Sequence, residues 1–189
     1  MSPRVFIDPN DGCATVSAIR TAAGVILIDC PNQQSRAGRW RGEAEKLGEI
    51  RYLIPTEHHI GHLFGLAFMP GTIIAHEEVR ARFWEDSVLG LNPMKDPQPY
   101  AERIDPEGAG MAAGYRAQEP DIIFAGGLTL TLGDVTIEAF GMPVHVPVDT
   151  AVYLPADRVL FAGDNVFHKT MIWYQDALPF EWLETLDHF

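Results

Sequence analysis

The chain has 189 residues, 47% of them hydrophobic, with a formal net charge of -12 and only two cysteines, Cys13 and Cys30. That length suits one domain over residues 1–189, since domains usually run to roughly 100 to 200 residues, and leaves no room for a second full one. The acidic balance, without any Lys/Arg cluster, excludes a nucleic-acid partner; two distant cysteines exclude a disulfide scaffold, and no apolar run approaches the roughly 20 residues of a membrane span.

The opening MSPRVFIDPNDG has neither the apolar core nor the small-residue cleavage site of a secretory leader. A soluble, cytoplasmic protein with a small-molecule substrate is expected, and a homo-oligomer is compatible with the sequence. Cys13 and Cys30 are read as small buried hydrophobes.

In chain order, Ala14 to Arg20 and Gly24 to Asp29 are rich in β-branched and aliphatic residues, with Ala22-Ala23-Gly24 between them, which predicts a hairpin. Residues 35–47 place Ala37, Trp40, Ala44 and Leu47 at spacings of three and four, predicting an amphipathic helix that Gly48 ends. A short strand follows at Tyr52 to Ile54. The alternation of strand, helix and strand implies a layered α/β fold with its functional groups on loops after strand ends.

Beyond the cluster Thr56-Glu57-His58-His59-Ile60-Gly61-His62, the pattern predicts a helical turn at Leu63 to Phe68. A strand at Thr72 to Ala75 and a helix from Glu77 to Leu89 follow. Residues 90–120 carry five prolines and read as a long irregular loop with room for a short helix, either a substrate-facing lid or a disordered excursion. Strand signals resume at Leu128 to Leu132, Val135 to Phe140, Thr150 to Leu154 and Arg158 to Ala162. The last segment, Pro179 to Phe189, predicts a helix with Trp182, Leu183, Leu186 and Phe189 on one face. It has no stop signal, so further sequence beyond Phe189 is expected.

Three of the seven histidines lie at positions 58, 59 and 62, and imidazole suits a borderline metal such as zinc at neutral pH. If the loop continues a strand, Glu57 and His59 project to one side, His62 returns to it after one helical turn, and His58 points away. Solvated histidines at a helix N-terminus are the alternative. His145, in a Pro-flanked loop after a strand, and Asp164, after the apolar run Leu160-Phe161-Ala162-Gly163, make a convergent metal site the stronger reading.

TEHHIGHLFGL, residues 56–66, resembles the T-H-x-H-x-D-H-x-x-G motif of the metallo-β-lactamase superfamily. GMPVHVPVDTAVYLPADRVLFAGD, residues 141–164, resembles that family's next His loop and Asp strand. GVILIDCP, residues 24–31, is similar to its early strand ending in Asp. The resemblance implies a four-layer αβ/βα sandwich whose C-terminal part is incomplete. It assigns His59 and His145 to a first metal site, His62 to a second, Asp164 to a bridge between them, and Asp29 to a supporting task.

Three departures stand out. Glu57 replaces the motif's first His, yet can still supply an oxygen ligand. Gly61 replaces its Asp and offers no side chain. The family's late His has no counterpart, since His168, His76 and His188 read as surface or helix residues.

The expected ligand set is therefore Glu57, His59, His62, His145 and Asp164, holding one or two Zn2+ ions, with iron or manganese as alternatives. Asp164 is also the expected catalytic residue. The implied activity is hydrolysis of a small-molecule ester, lactone, thioester or amide through a metal-bound hydroxide. A non-haem iron redox protein of the same fold and a non-catalytic relative are the other readings.

Overall fold

The computed structural model describes residues 2–9, 14–85 and 90–188. The branched residues of the first half build a six-stranded sheet: β1 (Val5–Asp8), β2 (Val16–Thr21) and β3 (Gly24–Ile28) pair antiparallel in that order. On β3 the parallel strands β4 (Ile50–Ile54), β5 (Thr72–His76) and β6 (Ile122–Phe124) follow in turn. The predicted hairpin is β2–β3. The two edge strands, β1 and β6, are too short for a period to reveal, and their pairing comes from the neighbouring strand.

Alternate residues of β3 face opposite layers, Val25 and Leu27 one way and Ile26 and Ile28 the other. Both faces are covered, which explains the uninterrupted apolar run Val25-Ile26-Leu27-Ile28. On one face α1 (Gln34–Glu45) buries Ala37, Trp40 and Ala44 beside Phe64, Leu66 and Phe83. On the other lies a second sheet in the order β10-β9-β8-β7, formed by β7 (Gly127–Leu132), β8 (Val135–Met142), β9 (Asp149–Leu154) and β10 (Val159–Phe161), all antiparallel. Ile19, Ile26, Ile28, Ile54 and Ile74 of the first sheet meet Val135, Ile137, Val152, Leu154 and Phe161 of the second in one apolar core. The molecule is thus a mixed α/β sandwich of two sheets.

The remaining helices are α2 (Ile60–Leu63), running into a 3-10 turn at Phe64–Phe68, α3 (Glu77–Arg82), α4 (Pro97–Ile104) and α5 (Pro179–Leu186). Expected to Leu89, α3 ends at Arg82, where Phe83 N–H turns back to the Arg80 carbonyl; residues 86–89 lie outside the described ones.

Residues 90–120, expected as an irregular loop with room for a short helix, do carry one, and that part is no disordered excursion. It folds into α4 and a 3-10 turn at Ala109–Gly114 that pack on the helical layer. Tyr100 lies edge-on to Phe64, Tyr115 stacks on Phe64, and the Asp105 carboxylate accepts from Ser35 N–H at 2.7 Å at the start of α1. The buried aromatics supply the order that the prolines and glycines of this stretch conceal.

The face of α5 also differs from expectation. Trp182 and Thr185 are buried, whereas Leu183 is 65% exposed and Leu186 is exposed as well; Phe189 lies outside the described residues. Two polar anchors set this rotation: Trp182 Nε1–H donates to the Asn165 carbonyl and the Thr185 hydroxyl to the Pro143 carbonyl. Among the described residues no helix is long and apolar enough to cross a membrane.

Candidate metal centre

The loops that leave β3, β4, β8 and β10 meet at one end of the sandwich, where the first turn of chain beyond each strand carries a polar side chain. Asp29, directly after β3, adopts a left-handed φ of +57° and is buried. Its carboxylate accepts from Thr56 N–H and from the Thr56 hydroxyl, both at 2.8 Å, which fixes the loop after β4. It also stands 3.1 Å from His62 Nδ1. Held by that nitrogen, His62 turns Nε2 toward Glu57 Oε1 at 3.1 Å and Asp164 Oδ1 at 3.7 Å.

Glu57 is the hub. Its Oε1 is 3.0 Å from His59 Nδ1, 3.1 Å from His62 Nε2 and 3.8 Å from His145 Nε2, and its Oε2 accepts from His59 N–H at 2.6 Å. Burial alone would raise the Glu57 pKa, but the neighbouring His62 charge and the imidazoles of His145 and His59 hold it well below the usual carboxylate range. Burial likewise works against a charged His62. Asp29, Glu57 and Asp164 outweigh it and push that imidazole well above its ordinary value.

His145 enters from the β8–β9 loop, which Val144 N–H closes onto the Val146 carbonyl and Leu178 N–H onto the Val144 carbonyl. Its Nε2 is 3.8 Å from both Glu57 Oε1 and Asp164 Oδ2. Both ring nitrogens are buried and, among the described residues, have no hydrogen-bond partner, an arrangement that a cation would satisfy and that is otherwise costly. Asp164 follows β10 in the 3-10 turn Gly163–Asn165. All five residues expected as ligands therefore come together, in overlapping groups whose donor atoms lie within 4.8 Å of one another.

Asp149, at the start of β9, is a residue that sequence reasoning missed. Fully buried, it accepts from Asp164 N–H at 2.9 Å, and its own pKa is pushed well up by burial and by the Glu57 and Asp164 charges. A carboxylate opening a buried strand was the available signal, hidden because the strand was expected to begin at Thr150. Gly163, at φ +57°, passes so close to Asp149 that a Cβ there would overlap the carboxylate.

His58 does not point away. The chain bends through residues 56–59 and does not continue the strand, so alternation of side chains fails there. The ring is buried, with Nδ1 3.6 Å from Glu57 Oε2 and Nε2 3.9 Å from Asp176 Oδ2; burial lowers its pKa to about 4. Asp176, also unforeseen, places Oδ2 3.7 Å from His59 Nε2. It belongs to an irregular stretch with no motif to announce it.

Gly61 is buried in α2 and contributes no donor. His168 and His188 are exposed, and His76 caps α3 by accepting from Glu78 N–H. The Cys30 thiol is buried, and burial together with Asp29 pushes its pKa up, in keeping with an inert packing role; Cys13 lies outside the described residues. A hollow of about 400 Å³ lined by Glu45, Glu49, Arg51 and Tyr52 sits near the opposite ends of β4 and β5, away from the groups of metal-ligating donors found among the described residues.

The family model of the metallo-beta-lactamase superfamily matches residues 12–189. A metallo-beta-lactamase from Pontibacter korlensis is 19% identical with a TM-score of 0.66, over 100% of this chain and 83% of that one. A metallo-beta-lactamase family protein from Thermus thermophilus is 20% identical with a TM-score of 0.66, over 99% of this chain and 69% of the other. The sec-alkyl sulfatase PisA1, as a double mutant, is 18% identical with a TM-score of 0.71, and the match covers 99% of this chain and 34% of that one. At such identities these structures share the fold. No curated protein matches the sequence.

Proposed function

Because the chain belongs to the metallo-beta-lactamase superfamily, we propose that it is a metal-dependent hydrolase of a small-molecule ester, lactone, thioester or amide, working in the cytoplasm. Glu57, His59, His62, His145 and Asp164 are its proposed ligands. The observation that carries this reading is the buried His145 ring, both nitrogens without a hydrogen-bond partner among the described residues, facing Glu57 and Asp164 across 3.8 Å. Three imidazoles and two carboxylates suit Zn2+, with iron or manganese as alternatives.

A bound divalent cation supplies Lewis acidity, which activates water near neutral pH and polarises a carbonyl oxygen. The chain's own groups do the positioning. Asp29 and Thr56 hold His62 by Nδ1 so that Nε2 faces the centre. Asp149 holds the Asp164 backbone, and the Asp164 side chain, 27% exposed, is the carboxylate within reach of both substrate and solvent. It is proposed to accept a hydrogen bond from the attacking water.

Metal analysis of protein purified without added metal, combined with a panel of lactam, lactone, thioester and phosphodiester substrates, tests the proposal. Near-stoichiometric metal and turnover of one carbonyl class are expected, with both lost in His145→Ala. Metal-free protein that neither takes up Zn2+ nor turns over any substrate would overturn it.

One geometric feature favours a second reading, a non-catalytic relative. Glu57 Oε1 sits at hydrogen-bonding distance from two histidines, so its negative charge already compensates theirs. Gly61→Asp discriminates: gained hydrolysis marks a weakened enzyme, and unchanged inactivity marks the binding or structural role.

A further inference from the structure

We propose that Met171, Trp173 and Tyr174 form an apolar wall beside the metal centre, which selects uncharged substrates carrying an aromatic or medium-chain aliphatic group next to the scissile carbonyl. The inference rests on the hydrolase reading and adds the substrate class to it. Three observations carry it: where the segment is anchored, how much of it is left in solvent, and which charges surround it.

Leu178 N–H donates at 2.7 Å to the carbonyl of Val144, the residue before His145, and Ala177 N–H closes a turn onto the Tyr174 carbonyl. Ile172 and Ala177 pack against the small core of Val144, Val146 and Trp182. Asp176, within the same turn, brings Oδ2 to 3.7 Å from His59 Nε2. The segment is therefore pinned alongside the ligand loops, and a row of rings connects the two. The Trp182 centroid lies 6.1 Å from that of His145 and 6.4 Å from that of Tyr174.

Although Ile172 packs inward, its neighbours remain in solvent: Met171 is 90%, Trp173 53% and Tyr174 62% exposed. A single exposed hydrophobe is ordinary, but three large ones within four residues, beside converging ligand donors, mark a surface that takes up an apolar group. Trp and Tyr offer wide, rigid faces that lose little freedom on binding. Charge narrows the class further. Over residues 165–188 Lys169 is the one Lys or Arg, against Asp176, Glu181, Glu184 and Asp187. Such surroundings repel a carboxylate or phosphate on the substrate and favour an uncharged one.

The test compares the wild type with Trp173→Ala, Tyr174→Ala and a control, Ile123→Ser, which removes an exposed hydrophobe from β6. All three positions are exposed, so the variants should fold. The first readout is binding of N-phenyl-1-naphthylamine, an uncharged aromatic dye that fluoresces in apolar surroundings, to the metal-free full chain. The second is kcat/KM of the Zn2+-loaded protein for 4-nitrophenyl hexanoate against 4-nitrophenyl acetate. A methylene buried on the wall gains at most about fourfold, so the wild type should prefer the hexanoate by roughly tenfold or more. Trp173→Ala and Tyr174→Ala should lose most of that preference through KM and bind the dye at least roughly fivefold more weakly. Ile123→Ser should match the wild type in both readouts.

Turnover of both esters with the same chain-length preference in all four proteins overturns the inference and leaves the hydrolase reading standing. Equal dye affinity in all four proteins also overturns it. Dye binding weakened only in Trp173→Ala and Tyr174→Ala, without turnover of either ester by the wild type, supports the apolar wall and counts against the hydrolase.

Discussion

At the scale of single residues, the centre is governed by opposed charges on largely buried side chains. His58 illustrates the consequence. Its folded pKa of about 4 lies below the ordinary 6.5, so between those values the unfolded chain binds more protons than the folded one. Stability of the metal-free protein should rise with pH through that window and be lost as pH falls from 6.5 toward 4. At about 1.4 kcal/mol per pKa unit, the contribution is at most on the order of 3 kcal/mol. Glu57, with its pKa held low, adds to the loss in acid. Urea unfolding of the metal-free protein at several pH values should therefore show a shallower acid slope for His58→Gln than for the wild type. An unchanged slope would assign the acid sensitivity elsewhere.

Gly163 makes a second residue-scale case. A side chain there meets both an unfavourable positive φ and the Asp149 carboxylate. Gly163→Ala should cost on the order of 2 kcal/mol in thermal unfolding and weaken metal binding, since Asp164 would move with its backbone. Wild-type metal affinity in that variant would show that Asp149 does not position Asp164.

Among the elements, the segment around α4 acts as a brace. Asp105 ties it to the start of α1 by accepting from Ser35 N–H and from Gly108 N–H, while Tyr100 accepts from Asn32 Nδ2. Asn32 lies in the loop just beyond Asp29. The brace therefore reaches the loop that orients His62. Asp105→Ala should destabilise by about 1 to 2 kcal/mol, the usual cost of losing a charged cap, and should increase hydrogen exchange at the first turn of α1. Equal exchange in the variant and the wild type would show that packing of Phe64, Tyr100 and Tyr115 holds the segment unaided. The α5 helix is placed by a comparable pair of anchors, Trp182 and Thr185, rather than by the width of its apolar face.

For the whole molecule, the sandwich supplies four loops from both sheets to one end, so ligand binding couples to folding of both halves. An ion held by groups that come together only in the folded state stabilises it by mass action, about 2.7 kcal/mol at a free concentration a hundredfold above Kd. Added Zn2+ should raise the thermal midpoint of the metal-free wild type, and less so that of His145→Ala. Equal shifts in the two proteins would mean that the ion binds elsewhere.

The local order of residues by itself determined the β2–β3 hairpin, α1, the strands of the second sheet and the loops bearing Glu57, His59, His62, His145 and Asp164. Each depends on a period or a motif only a few residues long. Tertiary structure alone decided that Asp149 lies under Asp164, that His58 turns inward toward Asp176, that residues 97–114 brace the helical layer, and that α5 leaves Leu183 in solvent. Those outcomes arise from contacts between segments distant in the chain, where burial, polar anchors and a bend in the backbone override local pattern.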